Sequence, residues 1–145
     1  MKHMLIALTL LLCIALLGCA REKMNTLEGT WRLVAGTNKF ADTTYDYAKM
    51  GYDGIKMWCG NHFVFVGRVV RNGDTTNNYG GGTFTQEGNT YTEVISYFPV
   101  RTMVGDTISF EVQVKNDTLI QKGPLKTGKY RDTKWELYEV YERVK

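Results

Sequence analysis

Residues 107–114 read Thr-Ile-Ser-Phe-Glu-Val-Gln-Val, so that polar and apolar side chains alternate without a break. Successive side chains of a β-strand point to opposite faces, and this segment is therefore predicted to be a strand with one buried and one exposed face. Lys115, Asn116 and Asp117 supply a turn that leads into a second strand at residues 118–121. The stretch predicts a β-hairpin and, with it, an antiparallel sheet.

Six further segments share this strand character, because Thr, Tyr, Val, Ile and Phe are frequent in them and turn residues separate them. The predicted strands are residues 30–35, 54–58, 62–70, 82–86, 90–98 and 135–144. The last segment also fits the apolar stripe of a helix, but its aromatic and β-branched residues, and the open sheet edge that it would close, favour a strand. About eight strands predict an all-β, antiparallel up-and-down barrel that can hold one small ligand.

Two connecting segments qualify this picture. Residues 38–53 lack strand character, and Phe40, Tyr47 and Met50 could face inward there on one or two helical turns. They predict a short helical or irregular lid after the first strand, over the mouth of the barrel. Residues 80–82 are three glycines without the following helix and Lys-Ser/Thr of a phosphate-binding loop, so they predict a flexible hairpin connection or a bulge.

The N-terminus has the pattern of an export signal. Lys2 precedes an apolar run over residues 4–17 that is too short to span a bilayer as a stable helix. The end of this run, Leu-Leu-Gly-Cys at residues 16–19, resembles the lipobox of bacterial lipoproteins, in which the cysteine receives a lipid. That resemblance implies removal of residues 1–18 and lipid attachment at Cys19. The alternatives are a secretory signal cleaved elsewhere and an uncleaved anchor.

The remaining chain is expected to hold a short lipidated tether over residues 19–26 and one barrel domain over residues 27–145. Lys2 is the one charged side chain of the signal, so the mature chain keeps 17 basic and 15 acidic residues, a formal charge of +2 that gives no reason to invoke nucleic acid. Cys13 leaves with the signal and Cys19 carries the lipid. Cys59 then remains alone, and no intramolecular disulfide is expected.

Both ends of the predicted domain resemble a known superfamily. Residues 27–34, Leu-Glu-Gly-Thr-Trp-Arg-Leu-Val, resemble the Gly-x-Trp opening strand of the calycins, which include lipocalins and fatty-acid-binding proteins, and residues 140–144 are similar to their closing strand. The resemblance implies structural roles for Gly29 and Trp31, with the basic side chain of Arg143 lying across the tryptophan at the barrel base.

The middle of the chain resembles small lipocalin-like lipoproteins of Gram-negative bacteria, a family without an assigned activity. The segments that carry this resemblance are residues 62–66, 80–84 and 89–93. It implies a lipid-anchored protein of the bacterial cell envelope. Since Ala20 is not the aspartate that retains lipoproteins in the inner membrane, the outer membrane is the expected location.

The closing strand departs from the fatty-acid-binding proteins at the ligand position. Those proteins hold the carboxylate of the fatty acid with an Arg-x-Tyr pair. Here Tyr141 matches the tyrosine, but the position of the arginine, two residues before it, is occupied by Glu139. A carboxylate at this position would repel a fatty-acid head group. The resemblance therefore implies the fold but not the usual ligand.

Candidate ligand-binding residues are aromatic and ionisable side chains on the predicted strands. They are Trp58, His62, Phe63, Phe65, Tyr91, Glu93, Tyr97, Glu139 and Tyr141. If Glu93 and Glu139 both face inward, they form a carboxylate pair in an aromatic cavity, which suits acid/base chemistry. The commoner alternative is that both face solvent or pair with Arg68, Arg71 or Arg101.

A metal site is not expected. Cys59 and His62 are three residues apart, but a zinc ion needs three or four ligands and the sequence offers no second His/Cys cluster. No cofactor is predicted.

Three functions remain, in order of preference. The first is a membrane-tethered protein that binds a small amphipathic, aromatic or saccharide-like ligand inside the barrel. The second is a solid barrel whose outer surface binds or inhibits another protein. The third is a small hydrolase or isomerase that uses Glu93, Glu139 or His62, and no catalytic residue is assigned beyond these candidates.

Overall fold

The computed structural model describes residues 27–145, and this part of the chain forms one antiparallel sheet that closes into a barrel. The strands are β1 (Gly29–Phe40), β2 (Thr43–Asp46), β3 (Tyr52–Cys59), β4 (His62–Arg71), β5 (Asp74–Glu87), β6 (Thr90–Tyr97), β7 (Thr107–Lys115), β8 (Thr118–Pro124) and β9 (Trp135–Arg143). Helical structure in this range is limited to two short 3-10 turns, Arg101–Met103 and Gly128–Tyr130. No helix among the described residues is long and apolar enough to cross a membrane.

Closure of the sheet depends on β1. Its first residues pair with β3, and most of its length pairs with β9, so that eight strands form a ring while β2 is an extra strand beside β1. The prediction of an all-β up-and-down barrel is confirmed, and each predicted strand is present. The predicted signal of residues 1–18, Cys19 and the tether of residues 19–26 lie outside the described residues.

The segment predicted as a lid contains a strand. β1 continues to Phe40, and the chain then turns back so that residues 43–46 pair with residues 37–40 of β1. β3 pairs with β1 only over residues 29–32, which leaves this edge of β1 free for β2. A turn over residues 47–51 follows, in which the backbone N–H of Tyr47 still donates to the carbonyl of Gly36 at 3.1 Å. Tyr47 is thereby held against β1.

Two irregularities change which side chains face inward. The pairing of β1 with β9 shifts register between Leu33 and Ala35, and that of β5 with β6 shifts between Gly81 and Gly82. The glycine run therefore lies within β5, at a bulge. Because a bulge inserts one extra residue, the alternation of β6 reverses after Ile95. Tyr97 is consequently 73% exposed.

Large apolar side chains fill one end of the barrel. This core includes Leu27, Trp31, Trp58, Phe63, Phe84, Tyr91, Val112 and Leu119. At its base the guanidinium carbon of Arg143 lies 4.1 Å from the centroid of the Trp31 ring, and its Nη1 donates to the carbonyl of Glu28 at 2.6 Å. The indole N–H of Trp31 donates to the carbonyl of Leu27 at 2.8 Å. This end of the barrel is therefore closed, and free space lies at the opposite end.

Candidate functional site

A cavity of about 430 Å³ occupies the half of the barrel beyond the core. All eight barrel strands contribute to its lining, and its volume lies in the range of about 300–1,000 Å³ that is typical of small-molecule sites. Apolar and aromatic side chains form most of the wall, among them Leu33, Ile55, Phe65, Ile95, Phe98, Ile108, Phe110 and Leu137. Thr76 and Asn77 line the cavity and are exposed, so they mark the end that meets solvent.

The floor of the cavity is polar. Lys56 on β3 donates to Glu93 on β6 and, at 3.1 Å, to the side-chain oxygen of Gln121 on β8. All three side chains are buried, with Lys56 and Glu93 each 4% exposed. The Lys56 ammonium also lies 5.0–5.2 Å from the ring centroids of Trp58, Phe63 and Tyr91 in the core beneath it. The charges of Lys56 and Glu93 therefore compensate each other inside the barrel.

Glu139 is a second carboxylate of the cavity. It lies on the inward face of β9 and accepts a hydrogen bond from the hydroxyl group of Tyr141 at 2.7 Å, and the hydroxyl group of Tyr47 is close enough to lower its pKa. Among the lysine and arginine side chains that the structure describes, none forms an ion pair with it. Burial raises the pKa of Glu139, and the charge of Lys56 and the two hydroxyl groups oppose that rise. Glu139 is thus the titratable group of the cavity that a ligand charge would affect most directly.

The tyrosines around Glu139 keep their protons over the physiological range. Burial raises the pKa of Tyr47 and Tyr141, and the charge of Glu139 raises each pKa further. A protonated phenol can donate a hydrogen bond to the carboxylate. Glu139 therefore lies among hydroxyl donors that remain donors when a ligand binds.

Inward-facing glycines make room for the aromatic lining. Gly54 and Gly67 are paired across β3 and β4, and the ring of Tyr52 lies over both of them. A Cβ atom would lie 2.2 Å from the Tyr52 hydroxyl oxygen at Gly67 and 2.6 Å from the Tyr52 ring at Gly54. The same holds at Gly80, where a Cβ atom would lie 2.6 Å from the Phe65 ring. These glycines let the rings lie against the wall, which keeps the centre of the cavity open.

Four of the nine predicted ligand-binding residues line this cavity, namely Phe65, Glu93, Glu139 and Tyr141. Trp58, Phe63 and Tyr91 belong to the core beneath the floor. His62 is exposed at the start of β4, and Tyr97 is exposed beyond the bulge of β6. Both glutamates therefore face inward. Arg68, one of the alternative partners for them, lies 3.6 Å from Asp53 on the outer surface.

Cys59 and His62 are paired across the β3–β4 hairpin, and both are exposed. Within residues 27–145, no three His, Cys, Asp or Glu side chains form a group that could hold a metal ion.

Sequence reasoning missed Lys56 and Gln121. Both follow from alternation, since Lys56 is two residues before Trp58 and Gln121 is two residues after Leu119, and both of these apolar side chains are buried. A polar residue in phase with the apolar face of a strand was the signal that could have identified them.

No protein-family model matches the chain, and no curated protein is detectably similar to it. The geometry of the cavity therefore provides the main basis for assigning a function.

Proposed function

We propose that this protein binds a small amphipathic or aromatic molecule inside its barrel. The observation that carries the proposal is the cavity of about 430 Å³, in which a polar floor lies beneath mostly apolar walls. Such a combination buries the apolar surface of a ligand and fixes its orientation through a few polar contacts. The barrel fold is compatible with this role.

Binding is favoured over the two alternatives. A solid barrel acting through its outer surface requires a filled interior, whereas this barrel contains a cavity of about 430 Å³ beside its core. Catalysis by paired carboxylates requires two groups that are free to exchange protons. Glu93 is instead held by Lys56, and His62 lies outside the cavity. The arrangement favours recognition of a ligand over its chemical conversion.

The test is native mass spectrometry of the mature protein, extracted from its own envelope in mild detergent. We expect a co-purifying mass that is lost on denaturation. In a Leu33→Trp variant the larger side chain enters the cavity, and we expect this mass to be absent. The matched control is Val34→Trp, because Val34 is the next residue and is 44% exposed. A mature protein without any bound mass in repeated preparations would overturn the proposal.

The proposal extends to the membrane. The lipobox-like segment at residues 16–19 supports lipid attachment at Cys19 and an envelope location, with the outer membrane favoured by Ala20. A clickable palmitate fed to a Gram-negative host should label the wild-type chain but not a Cys19→Ala variant. Equal labelling of both chains would contradict attachment at this cysteine.

A further inference from the structure

We propose that the ligand carries a positively charged amine on an apolar body, and that Glu139 binds this amine. The inference rests on the proposed binding function and adds the chemical class of the ligand. It depends on the charges that line the cavity, the unused acceptor capacity of Glu139 and the aromatic rings close to it.

The side chains that line the cavity carry a net negative formal charge, whereas the whole chain is positively charged. The ionisable acids and bases among its described lining residues are Lys56, Glu93 and Glu139, while the chain as a whole carries a formal charge of +3. Lys56 and Glu93 form an ion pair that Gln121 completes. The carboxylate of Glu139 is therefore left without a cation in ion-pair contact among the side chains that the structure describes. A cationic ligand would supply the missing charge.

Glu139 has acceptor capacity left for a ligand. An ionised carboxylate offers about four lone-pair positions, and the hydroxyl groups of Tyr47 and Tyr141 occupy two of them at most when each donates once. The side chain lines the cavity and remains partly accessible from it. An ammonium group has three N–H donors and no acceptor, which matches a carboxylate surrounded by hydroxyl donors.

Aromatic rings close to Glu139 favour the same ligand. The rings of Tyr47 and Tyr52 line the cavity with their centroids 5.2 Å apart, and the charge of Glu139 contributes to the raised pKa of both tyrosines. The faces of aromatic rings attract cations and repel anions. The apolar wall farther along the cavity suits a hydrocarbon or aromatic body.

An anionic ligand fits this site poorly. The cation of the lining, Lys56, is already neutralised by Glu93, and both carboxylates would repel a second anion. This is the reverse of a site that binds a carboxylate through an arginine.

The experiment compares octylamine, octan-1-ol and octanoic acid by isothermal titration calorimetry with the mature protein at neutral pH. These probes share one hydrocarbon chain and differ in the charge of the head group. We expect octylamine to bind at least about tenfold more tightly than octan-1-ol, and octanoic acid to bind most weakly, because of the charge that Glu139 contributes. In Glu139→Gln the preference for the amine should disappear while octan-1-ol still binds.

Glu136→Gln is the matched control, since Glu136 lies on the same strand and is exposed. Octan-1-ol binding as tightly as octylamine to the wild type would overturn the amine assignment and leave cavity binding intact. An amine preference that survives in Glu139→Gln, or no binding of octylamine at all, would also overturn it. The binding function itself is decided separately, by the co-purifying mass.

Discussion

The buried ammonium group of Lys56 lies against the carboxylate of Glu93, on two strands that are not neighbours in the sheet. Their hydrogen bond therefore crosses the interior of the barrel and joins β3 to β6, and Gln121 extends the connection to β8. Both charges have lost most of their contact with water, which is costly unless each compensates the other. This pair fixes the floor of the cavity and decides which of the two glutamates is left for a ligand.

Removing one partner of this pair is expected to destabilise the fold strongly. Lys56→Met leaves the Glu93 carboxylate buried without its cation, and we expect the free energy of unfolding to fall by about 3–5 kcal/mol. The double variant Lys56→Met/Glu93→Gln should recover much of this loss, because no charge then remains unpaired. Urea denaturation measures both effects.

The control for this prediction is Lys122→Met, which breaks the exposed ion pair with Glu111 and should cost less than about 1 kcal/mol. If Lys56→Met were as mild as Lys122→Met, the buried pair would not hold the floor together.

Glu139 should make the folded state less stable as pH rises. Its pKa is raised above the ordinary value of 4.5 by burial, so between these two values the folded chain binds more protons than the unfolded chain. The free energy of unfolding therefore falls with rising pH in this window, and the penalty is fully present above the raised pKa. The groups that face Glu139 are Lys56, Glu93, Tyr47 and Tyr141. Lys56 and the tyrosine hydroxyls reduce this penalty, whereas Glu93 adds to it.

Glu139→Gln should remove this pH dependence and make the protein more stable than the wild type at neutral pH. Urea denaturation at a series of pH values measures it, with the exposed Glu136→Gln as the control. If the wild type instead gained stability with rising pH in this window, and did so faster than Glu139→Gln, folding would lower the pKa of Glu139 and the prediction would be wrong.

The inward face of most strands could be predicted from alternation alone. In β9 the sequence places Trp135, Leu137, Glu139 and Tyr141 on one face, and all four line the cavity. The same rule applied to β3 points Lys56 inward. Burying the charge of a lone lysine is costly, however, so β3 by itself argues against an inward Lys56. The partner that compensates this charge, Glu93, is 37 residues away. The pair becomes visible only when the strands are placed around the barrel.

The glycines at residues 80–82 indicated a bulge as one of two interpretations, but the sequence pattern did not show which side chains the bulge would turn outward. Tyr91, Glu93, Ile95 and Tyr97 alternate without a break, yet Tyr97 faces outward because a bulge lies between Ile95 and Tyr97. A bulge is a mismatch between two strands, so β6 read by itself does not show which of its side chains the bulge displaces. The strand β2 was missed for a similar reason, since it forms on an edge of β1 that β3 does not cover.

Asp106 connects two loops near the cavity. Its carboxylate accepts hydrogen bonds from the Thr127 hydroxyl, the Gly128 N–H and, at 2.8 Å, the Arg131 guanidinium. The Thr127 hydroxyl, followed by the Gly128 N–H and the Arg131 charge, holds the pKa of Asp106 below its ordinary value although burial opposes them. The stability that Asp106 contributes is therefore present above the ordinary pKa and is lost as pH falls through the lowered one.

Asp106→Asn should lower the free energy of unfolding by about 1–3 kcal/mol, because a charged acceptor of several hydrogen bonds is replaced. Hydrogen exchange should become faster at Gly128 and in the rest of the 3-10 turn that it begins. Asp132→Asn provides the control, since Asp132 is an exposed residue close to the same loop. Unchanged exchange at Gly128 in Asp106→Asn would contradict this connection.

Gly67→Ala should close part of the cavity from its wall. The new Cβ atom would lie 2.2 Å from the Tyr52 hydroxyl oxygen, so the ring must leave the glycine pair and move toward the interior. Its hydrogen bond from Asn78, 3.4 Å long, would be strained or lost. We expect weaker binding of octylamine, and a loss of stability of about 1–3 kcal/mol through overpacking.

The cause can be isolated by repeating Gly67→Ala in a Tyr52→Ala background. Alanine is ordinarily more favourable than glycine within a strand, by about 0.5–1 kcal/mol. Without the ring, the Asp53 carbonyl oxygen at 3.1 Å is the remaining close contact of the new Cβ atom, so the substitution should cost much less than it does in the wild type. Val66→Ala, at the neighbouring position that is 41% exposed on the outer face, should leave binding unchanged in either background. If Gly67→Ala weakened binding and stability equally with and without the Tyr52 ring, the glycine would be needed for the backbone itself and not for the aromatic lining of the cavity.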